Sequence, residues 1–212
     1  MTKPQIILLG APGSGKGTQA AKIVELGYNH VSTGDLLRAE IKKASALGKK
    51  IQDLIGNGQL VDDQTVLDLL QANINLAKGE YIFDGFPRTE VQATMLDKQI
   101  IKKAKAVAIY LDVSLDELVS RIVNRRTCGG CNEIYNLINK PPKKEGVCDL
   151  CGKGLVHRKD DNKETVQNRM DVFKEQIDPI LAYYEAKGML KKVDASINPG
   201  TTFKQIRKIV ES

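Results

Sequence analysis

Short apolar runs alternate with longer amphipathic segments along this chain. Four of the runs are rich in aliphatic and aromatic residues, and each ends on a glycine or an aspartate. Runs of this length are typical of strands buried on both faces of a parallel sheet. We therefore predict strands at residues 5–10, 80–84, 105–112 and 189–194.

The segments between these runs carry apolar residues at helical spacing. Ser114 and Glu117 form a capping-box pattern that predicts the start of a helix, and Gly27 and Gly188 are placed to end helices. The predicted helices span residues 19–25, 32–43, 48–55, 63–77, 89–103, 114–126, 164–187 and 201–209. Strands that alternate with helices indicate an α/β fold built on a parallel sheet.

Residues 127–163 are rich in Gly, Pro, Cys and Lys and have no helical period, which predicts a small separate insert. All four cysteines lie in it, as Cys128-x₂-Cys131-x₁₆-Cys148-x₂-Cys151. This spacing is that of a zinc ribbon, in which four thiolates close a tetrahedral structural site, so we predict bound zinc. The alternatives are a disulfide pair, which a reducing compartment disfavours, and an iron–sulfur or other metal site.

A glycine-rich loop follows the first predicted strand. Gly10, Gly15 and Lys16 match the phosphate-loop pattern, whose glycines let backbone N–H groups approach phosphate oxygens. The usual pattern has Ser or Thr directly after the lysine, whereas here Gly17 intervenes before Thr18. A plain glycine-rich turn is the alternative, and the strand before and helix after favour a phosphate site.

Charge and hydropathy narrow the partners and the compartment. The 32 Lys and Arg residues outnumber the 26 Asp and Glu residues, and a net charge of +6 suits either nucleotide phosphate or nucleic acid. A solvated lysine-rich surface would account for the same excess. The chain shows neither a signal-peptide pattern nor an apolar stretch of about 20 residues, so we expect a cytoplasmic protein.

Several further motifs resemble those of the nucleoside monophosphate kinases, and of adenylate kinases in particular. The loop form GxPGxGKGT, with glycine after the lysine, is the form found in that family. The segments that carry the resemblance run in the family's order through nearly the whole chain: 10–18 (GAPGSGKGT), 32–38 (STGDLLR), 58–61 (GQLV), 84–89 (DGFPRT), Gln92, Arg121, 125–126 (RR), 158–161 (RKDD), 164–166 (ETV) and Arg169.

The resemblance implies a P-loop kinase core with a central parallel five-stranded sheet flanked by helices. It places a helical AMP-binding insert at residues 32–62 and a zinc-bound lid at 127–162, with the core formed by 1–31, 63–126 and 163–212. The implied reaction is the reversible, Mg²⁺-dependent conversion of ATP and AMP into two ADP. A monomer that binds neither nucleic acid nor membrane is expected.

The site residues are likewise implied by the resemblance. The ATP contacts are expected from the loop, the insert and the C-terminal stretch: Gly13, Ser14, Gly15, Lys16, Gly17, Thr18, Arg121, Arg125, Ile134, Tyr135 and Ile197. The AMP contacts are expected from the helical insert, the DGFPR segment and two later arginines: Thr33, Arg38, Gln59, Leu60, Val61, Gly85, Phe86, Pro87, Arg88, Gln92, Arg158 and Arg169.

Catalysis is expected to depend on positive charge rather than on a general base, because the accepting phosphate oxygen of AMP is already ionised. The implied catalytic residues are Lys16, Arg38, Arg88, Arg125, Arg158 and Arg169. Asp84 is expected to hold Mg²⁺ through water, with a turn cap as the alternative, and a surface ion pair is the alternative for any single arginine. His30 and His157 are expected to be structural or solvent-facing.

Three other functions remain open from the sequence. GTP could replace ATP as donor, because the alignment around Ile197 is uncertain. A related kinase could use another nucleoside monophosphate as acceptor. A zinc-ribbon nucleic-acid-binding protein would fit the cysteines and the charge, but the insert offers only Tyr135 for stacking on bases.

Overall fold

The computed structural model describes residues 3–196 and 198–211, apart from the side chains of residues 115 and 116. Strands β1 to β8 in the described chain are, in order, Gln5–Gly10, Asn29–Ser32, Tyr81–Asp84, Ala106–Asp112, Arg125–Cys128, Ile134–Asn136, Leu155–Val156 and Leu190–Asp194. Helices α1 to α8 are Lys16–Val24, Thr33–Lys42, Ala46–Gly56, Asp63–Asn73, Glu90–Met95, Leu115–Val123, Lys163–Ala186 and Pro199–Val210.

The central sheet has five strands in the order β2-β3-β1-β4-β8, and all neighbours are parallel. Alternation along β1 divides the core, because successive side chains of a strand point to opposite faces. Ile6 and Leu8 join one buried cluster, whereas Ile7 and Leu9 join the other. The predicted α/β fold with a five-stranded parallel sheet is confirmed, and helices cover both faces.

A second, antiparallel sheet of three strands, in the order β6-β5-β7, forms the cysteine-containing insert. Its small buried cluster consists of Cys128, Tyr135 and Cys148, with Leu155 packed against it. Helix α6 was expected to reach residue 126, and that prediction is wrong. Arg125 and Arg126 pair with Asn136 and Tyr135, so the insert's sheet removes them from the helix.

Strand β2 was not predicted, because only Val31 of its four residues is buried. The strand lies at one edge of the sheet, where pairing to β3 does not require a continuous apolar run. Helix α1 begins at Lys16 rather than at residue 19, because Gly15 takes a left-handed conformation and forms its N-cap.

Several helix ends also differ from prediction. Ser114 is the N-cap of α6, but its side chain makes no capping hydrogen bond, and Glu117 contacts Arg121 instead, so the predicted capping box is wrong. Helix α4 ends at Asn73, because Ile74 is extended. The predicted helix 89–103 divides into α5 and a π-helix, Leu96–Ile101.

Side-chain caps fix the start of most other helices. The side-chain oxygens that accept a backbone N–H at these positions belong to Ser32, Ser45, Asp62, Thr89, Asn162 and Asn198. Within the described residues, no helix combines the length and the apolar character that crossing a membrane requires.

Candidate active site

The glycine-rich loop connects β1 to α1 at the carboxyl edge of the central sheet, where α/β folds bind ligands. Gly13 has φ 83° and Gly15 has φ 95°, a region that favours glycine. No side chain caps the first turn of α1. Its backbone N–H groups and the positive end of the helix are therefore available to an anion.

Two glycines of this loop are closely approached by other elements. A Cβ added at Gly13 would lie 2.9 Å from Ile122 Cγ1 of α6. A Cβ added at Gly17 would lie 2.8 Å from Ile134 Cδ1, at the start of strand β6 in the insert. The insert therefore reaches the first turn of α1, directly beside the loop.

Lys16 folds back over the loop. Its Nζ donates hydrogen bonds to the carbonyl oxygens of Gly10 at 2.7 Å and Ala11 at 2.9 Å. Burial lowers the pKa of Lys16 to about 8. The negative charge of Asp84 opposes this shift, and the nearby arginines add to it. The amine is thus enclosed and only weakly compensated, and a phosphate would supply the missing negative charge.

Asp84 ends β3 and faces the same space. Its Oδ2 lies 3.4 Å from Nε2 of His30, the one contact that gives this histidine a structural role. Burial alone would raise the pKa of Asp84, but the hydrogen bond from His30 and the charges of Lys16 and Arg88 keep it below the ordinary value. The carboxylate is therefore ionised near the loop. His157 is exposed, as expected.

Two neighbouring carboxylates, those of Asp160 and Asp161, bind two of the predicted arginines. Arg125 donates to both carboxylate oxygens of Asp161, from Nη2 to Oδ1 and from Nε to Oδ2 at 2.8 Å. Arg169 Nη1 lies 2.9 Å from Asp160 Oδ2 and 3.5 Å from Asp161 Oδ1. Asp161 is fully buried, and the guanidinium groups of Arg125 and Arg169 place the opposite charge beside it.

Arg38 pairs with Asp35 at 2.7 Å, whereas two other predicted arginines donate to neutral oxygens. Arg158 donates from Nε to Thr127 Oγ1 at 3.0 Å, and Arg88 donates from Nε to the carbonyl of Gly85 at 2.9 Å. Burial, followed by the positive neighbours, lowers the pKa of Arg158 to about 10. Guanidinium groups packed this closely repel one another, which favours a bound anion among them.

One cleft of about 1070 Å³ gathers these groups. All six residues with a predicted catalytic role line it, as does Asp84. The predicted ATP contacts that line it are Gly13, Ser14, Gly15, Lys16, Gly17, Thr18, Arg121, Arg125, Ile134 and Tyr135. Ile197 lies outside the described residues.

A smaller cavity of about 50 Å³ adjoins the cleft and shares Arg38, Arg88 and Arg169 with it. The predicted AMP residues that line this cavity are Thr33, Arg38, Gln59, Leu60, Val61, Gly85, Arg88, Gln92 and Arg169. Pro87 and Arg158 line only the larger cleft. Phe86 lines neither and is fully buried in the core.

Tyr135 has a second environment besides the cleft. It is 2% exposed, its hydroxyl lies 3.5 Å from Cys148 Sγ, and it accepts a hydrogen bond from the backbone N–H of Asp149 at 2.7 Å. The ring therefore supports the cysteine cluster, and its contact with ATP stays a prediction.

The four cysteines converge as their spacing predicts. All four Sγ atoms lie within 4.8 Å of one another, at 3.3 Å for Cys128 and Cys151 and 3.6 Å for Cys131 and Cys148. A tetrahedral zinc site with ~2.3 Å bonds has sulfurs about 3.8 Å apart, so the cluster fits such an ion. The backbone N–H of Gly130, 3.3 Å from Cys128 Sγ, would stabilise a thiolate.

Comparison with known proteins identifies the family. A family model described as adenylate kinase matches residues 8–189. The chain belongs to the adenylate kinase family. The adenylate kinases of Lachnospira eligens, Thermodesulfovibrio yellowstonii and Archaeoglobus fulgidus are 43%, 41% and 42% identical to it. These alignments cover 97%, 98% and 97% of this chain and 99%, 99% and 97% of the three adenylate kinases.

The resemblance to adenylate kinases is thereby confirmed, and the chain is an enzyme of the nucleoside monophosphate kinase class. Some residues near the adenylate kinase cleft had no predicted role. Asp160 and Asp161 are the clearest examples, because two adjacent acidic residues before a helix are typical of an exposed helix N-terminus. Only the number of nearby arginines hinted that these acids would be buried partners.

Proposed function

We propose that this chain transfers a phosphoryl group reversibly from Mg-ATP to AMP, giving two ADP and so balancing the adenine nucleotide pool. One observation carries the proposal. The phosphate loop lines the larger cleft, and the smaller cavity adjoins that cleft, with Arg38, Arg88 and Arg169 lining both. Two nucleotides bound at these ends would direct their phosphates at each other.

The side chains supply position and charge. Lys16 would leave the loop carbonyls for the β- and γ-phosphates of ATP, while Arg38 and Arg88 would hold the phosphate of AMP. Arg125, Arg158 and Arg169 would surround the transferring group, where negative charge spreads over its oxygens. A planar guanidinium binds two such oxygens at once and stays ionised.

Asp84 fits a magnesium-nucleotide site. Its buried, ionised carboxylate faces the cleft beside Lys16, and Mg²⁺ in such sites takes most of its ligands from water and phosphate. Bound Mg²⁺ would neutralise charge on the β- and γ-phosphates. The role of Asp84 is to orient the magnesium's water ligands, and His30 holds its carboxylate.

The chain divides by role into three parts. Residues 1–31, 63–126 and 163–212 form the core, residues 32–62 bind AMP, and residues 127–162 are the lid. We propose zinc at Cys128, Cys131, Cys148 and Cys151, where it would hold the lid in shape. The lid would exclude water, because water in the closed site would accept the phosphoryl group instead of AMP.

The remaining features follow the family. We propose a cytoplasmic monomer that uses ATP, AMP and ADP and binds neither nucleic acid nor membrane. Tyr135 is one of the three buried residues of the lid's small core, with Cys128 and Cys148, which leaves no exposed aromatic in that cluster for stacking on bases.

A coupled assay tests the function. With Mg-ATP, we expect AMP to be phosphorylated in preference to CMP, UMP and GMP, and ATP to be preferred to GTP as donor. No ADP formed from ATP and AMP by the purified, metal-loaded chain would overturn the proposal.

Arg88→Ala tests the AMP end of the cleft. We expect kcat/KM for AMP to fall about 10²–10³-fold, because a charge that positions the acceptor phosphate is lost. Arg207→Ala is the matched control, since Arg207 is exposed and pairs with Glu211 on α8. Equal kcat/KM values for AMP in the two variants would contradict the assignment of Arg88 to the AMP site.

A further inference from the structure

The side-chain amide of Gln92 is held between a donor and an acceptor of fixed type. Its Oε1 accepts a hydrogen bond from the backbone N–H of Arg88 at 2.7 Å. Its Nε2 donates to Asp63 Oδ1 at 2.7 Å. Gln92 is 2% exposed and lines the smaller cavity, whereas Asp63 is not among the described residues that line it.

These two partners leave the amide one orientation. A backbone N–H can only donate, and an ionised carboxylate can only accept. Turning the amide over would bring its oxygen against the oxygen of Asp63 and its NH₂ against the N–H of Arg88. Both contacts would then be repulsive, and buried polar groups would lose their partners.

The fixed amide has one N–H hydrogen and one oxygen lone pair left to bind a ligand. An amide NH₂ has two hydrogens and its oxygen has two acceptor positions, and the contacts with Asp63 and Arg88 use one of each. An adenine edge offers a 6-amino donor beside the N1 acceptor. A hypoxanthine edge offers the reverse, a 6-oxo acceptor beside an N1–H donor. A given amide orientation therefore matches only one of these edges.

We propose that Asp63 is a specificity-determining residue for the acceptor base, acting through Gln92. By fixing the polarity of the amide, it makes the amide complementary to 6-aminopurines and rejects 6-oxopurines such as those of IMP and GMP. This inference rests on the proposed function and places the purine of the acceptor nucleotide against Gln92, which lines the smaller cavity. Asp63 touches no substrate and is a positioning residue.

A purely structural role for Asp63 makes a different prediction. Asp63 is in the first turn of α4, where a negative charge also stabilises the helix end. Its neighbour Asp62 is the N-cap of the same helix and accepts from the backbone N–H of Thr65 at 2.9 Å. Among the described residues Asp62 makes no hydrogen bond to Gln92, so Asp62→Asn removes a charge from the same helix end and leaves the two hydrogen bonds that orient the Gln92 amide.

The test compares Asp63→Asn and Asp62→Asn in the full-length, metal-loaded chain. The readout is the ratio of kcat/KM for AMP to kcat/KM for IMP, with Mg-ATP as donor. IMP is chosen because it lacks the 2-amino group of GMP. It therefore differs from AMP only at the N1 and C6 edge of the base, where donor and acceptor are exchanged. An asparagine at 63 can accept or donate, so only the backbone N–H of Arg88 still opposes the reversed orientation of the Gln92 amide.

We expect the AMP to IMP ratio to fall at least about tenfold in Asp63→Asn and to stay within about twofold of wild type in Asp62→Asn. Asp63→Ser, which also can accept or donate, should behave like Asp63→Asn if the latter folds poorly. An unchanged ratio in both Asp63 variants would overturn the inference, even if both rates fall together. A wild-type chain that phosphorylates no AMP would overturn the proposed function itself, which is a separate result.

Discussion

At the scale of single residues, the cleft holds positive charge at a cost to stability. Lys16 donates to two backbone carbonyls, but it lacks a close carboxylate partner, and burial lowers its pKa from 10.5 to about 8. Below pH 8 the amine is charged in both folded and unfolded chains, and the folded chain bears the cost of enclosing it. Between pH 8 and 10.5 the unfolded chain binds more protons, so this cost diminishes as pH rises.

Lys16→Met should therefore separate activity from stability. We expect kcat/KM to fall about 10²–10³-fold, while the melting temperature at pH 7 without nucleotide rises by about 2–4 °C, equivalent to about 1 kcal/mol. The measurements are a coupled assay and thermal unfolding. Lys174→Met is the control, because Lys174 is exposed and lies 3.8 Å from Asp171. A melting temperature several degrees lower in Lys16→Met would contradict this account.

The same residue predicts a pH profile. Wild-type kcat/KM, which reports on the free enzyme, should fall as pH rises through about 8, because Lys16 then loses the proton that phosphate binding needs. The profile of kcat should fall at higher pH, since bound phosphates favour the charged amine. A kcat/KM that stays flat to pH 9.5 would show that the charge of Lys16 is not needed for nucleotide capture.

At the scale of elements, the lid is the part with the least core of its own. Its buried cluster contains only Cys128, Tyr135 and Cys148, and two of these are members of the cysteine site. Three short strands with so little apolar burial are marginal in water. We therefore expect the stability of the lid to depend on a metal ion rather than on packing.

Cys128→Ser tests that dependence. We expect the bound metal to be lost and the melting temperature to fall by about 4–8 °C, equivalent to about 2 kcal/mol. The transfer rate at 10 °C should change less than about threefold, because the catalytic arginines are still present. Elemental analysis, thermal unfolding and the coupled assay measure these effects. Val156→Ala, on the exposed face of β7, should leave all three unchanged.

An unchanged melting point in Cys128→Ser, or a wild-type chain without bound metal, would contradict the metal's structural role.

Strands and helices with a strong local signal were predictable, and those defined by their neighbours were not. Strand β1 has an unbroken apolar run, whereas β2 has one buried residue and exists because it pairs with β3. The end of α6 depends on pairing between Arg126 and Tyr135 within the lid. Likewise the sequence around Asp161 predicts an exposed acidic residue. The structure buries it between Arg125 and Arg169, which bind its carboxylate.

At the scale of the whole molecule, the carboxyl ends of sheet strands, the cysteine-containing insert and the segment that we propose to bind AMP all line one cleft. The buried cluster that contains Phe83 of the sheet also contains Leu37 and Ile51 of segment 32–62, whereas the cysteine-containing insert has its own cluster. A ligand that contacts every part should therefore stabilise the whole chain against unfolding.

Mg-ADP should show this effect, because ADP can occupy both ends of the cleft. At a free concentration of 100 times its Kd, we expect about 2.7 kcal/mol of added stability and a rise in melting temperature of about 5–11 °C. Thermal unfolding with inorganic phosphate at the same concentration is the control and should give a much smaller rise. Equal rises with the two ligands would indicate that the nucleotide is not recognised as a whole.

The close approach of Ile134 to Gly17 links the composition of the loop to that of the lid. The serine or threonine that ordinary phosphate loops carry at this point would have to displace Ile134, whose strand is the part of the lid nearest the loop. Residues 17 and 134 should therefore vary together among relatives. Anyone who grafts a lid from one such enzyme onto another will need to transfer both positions as a pair.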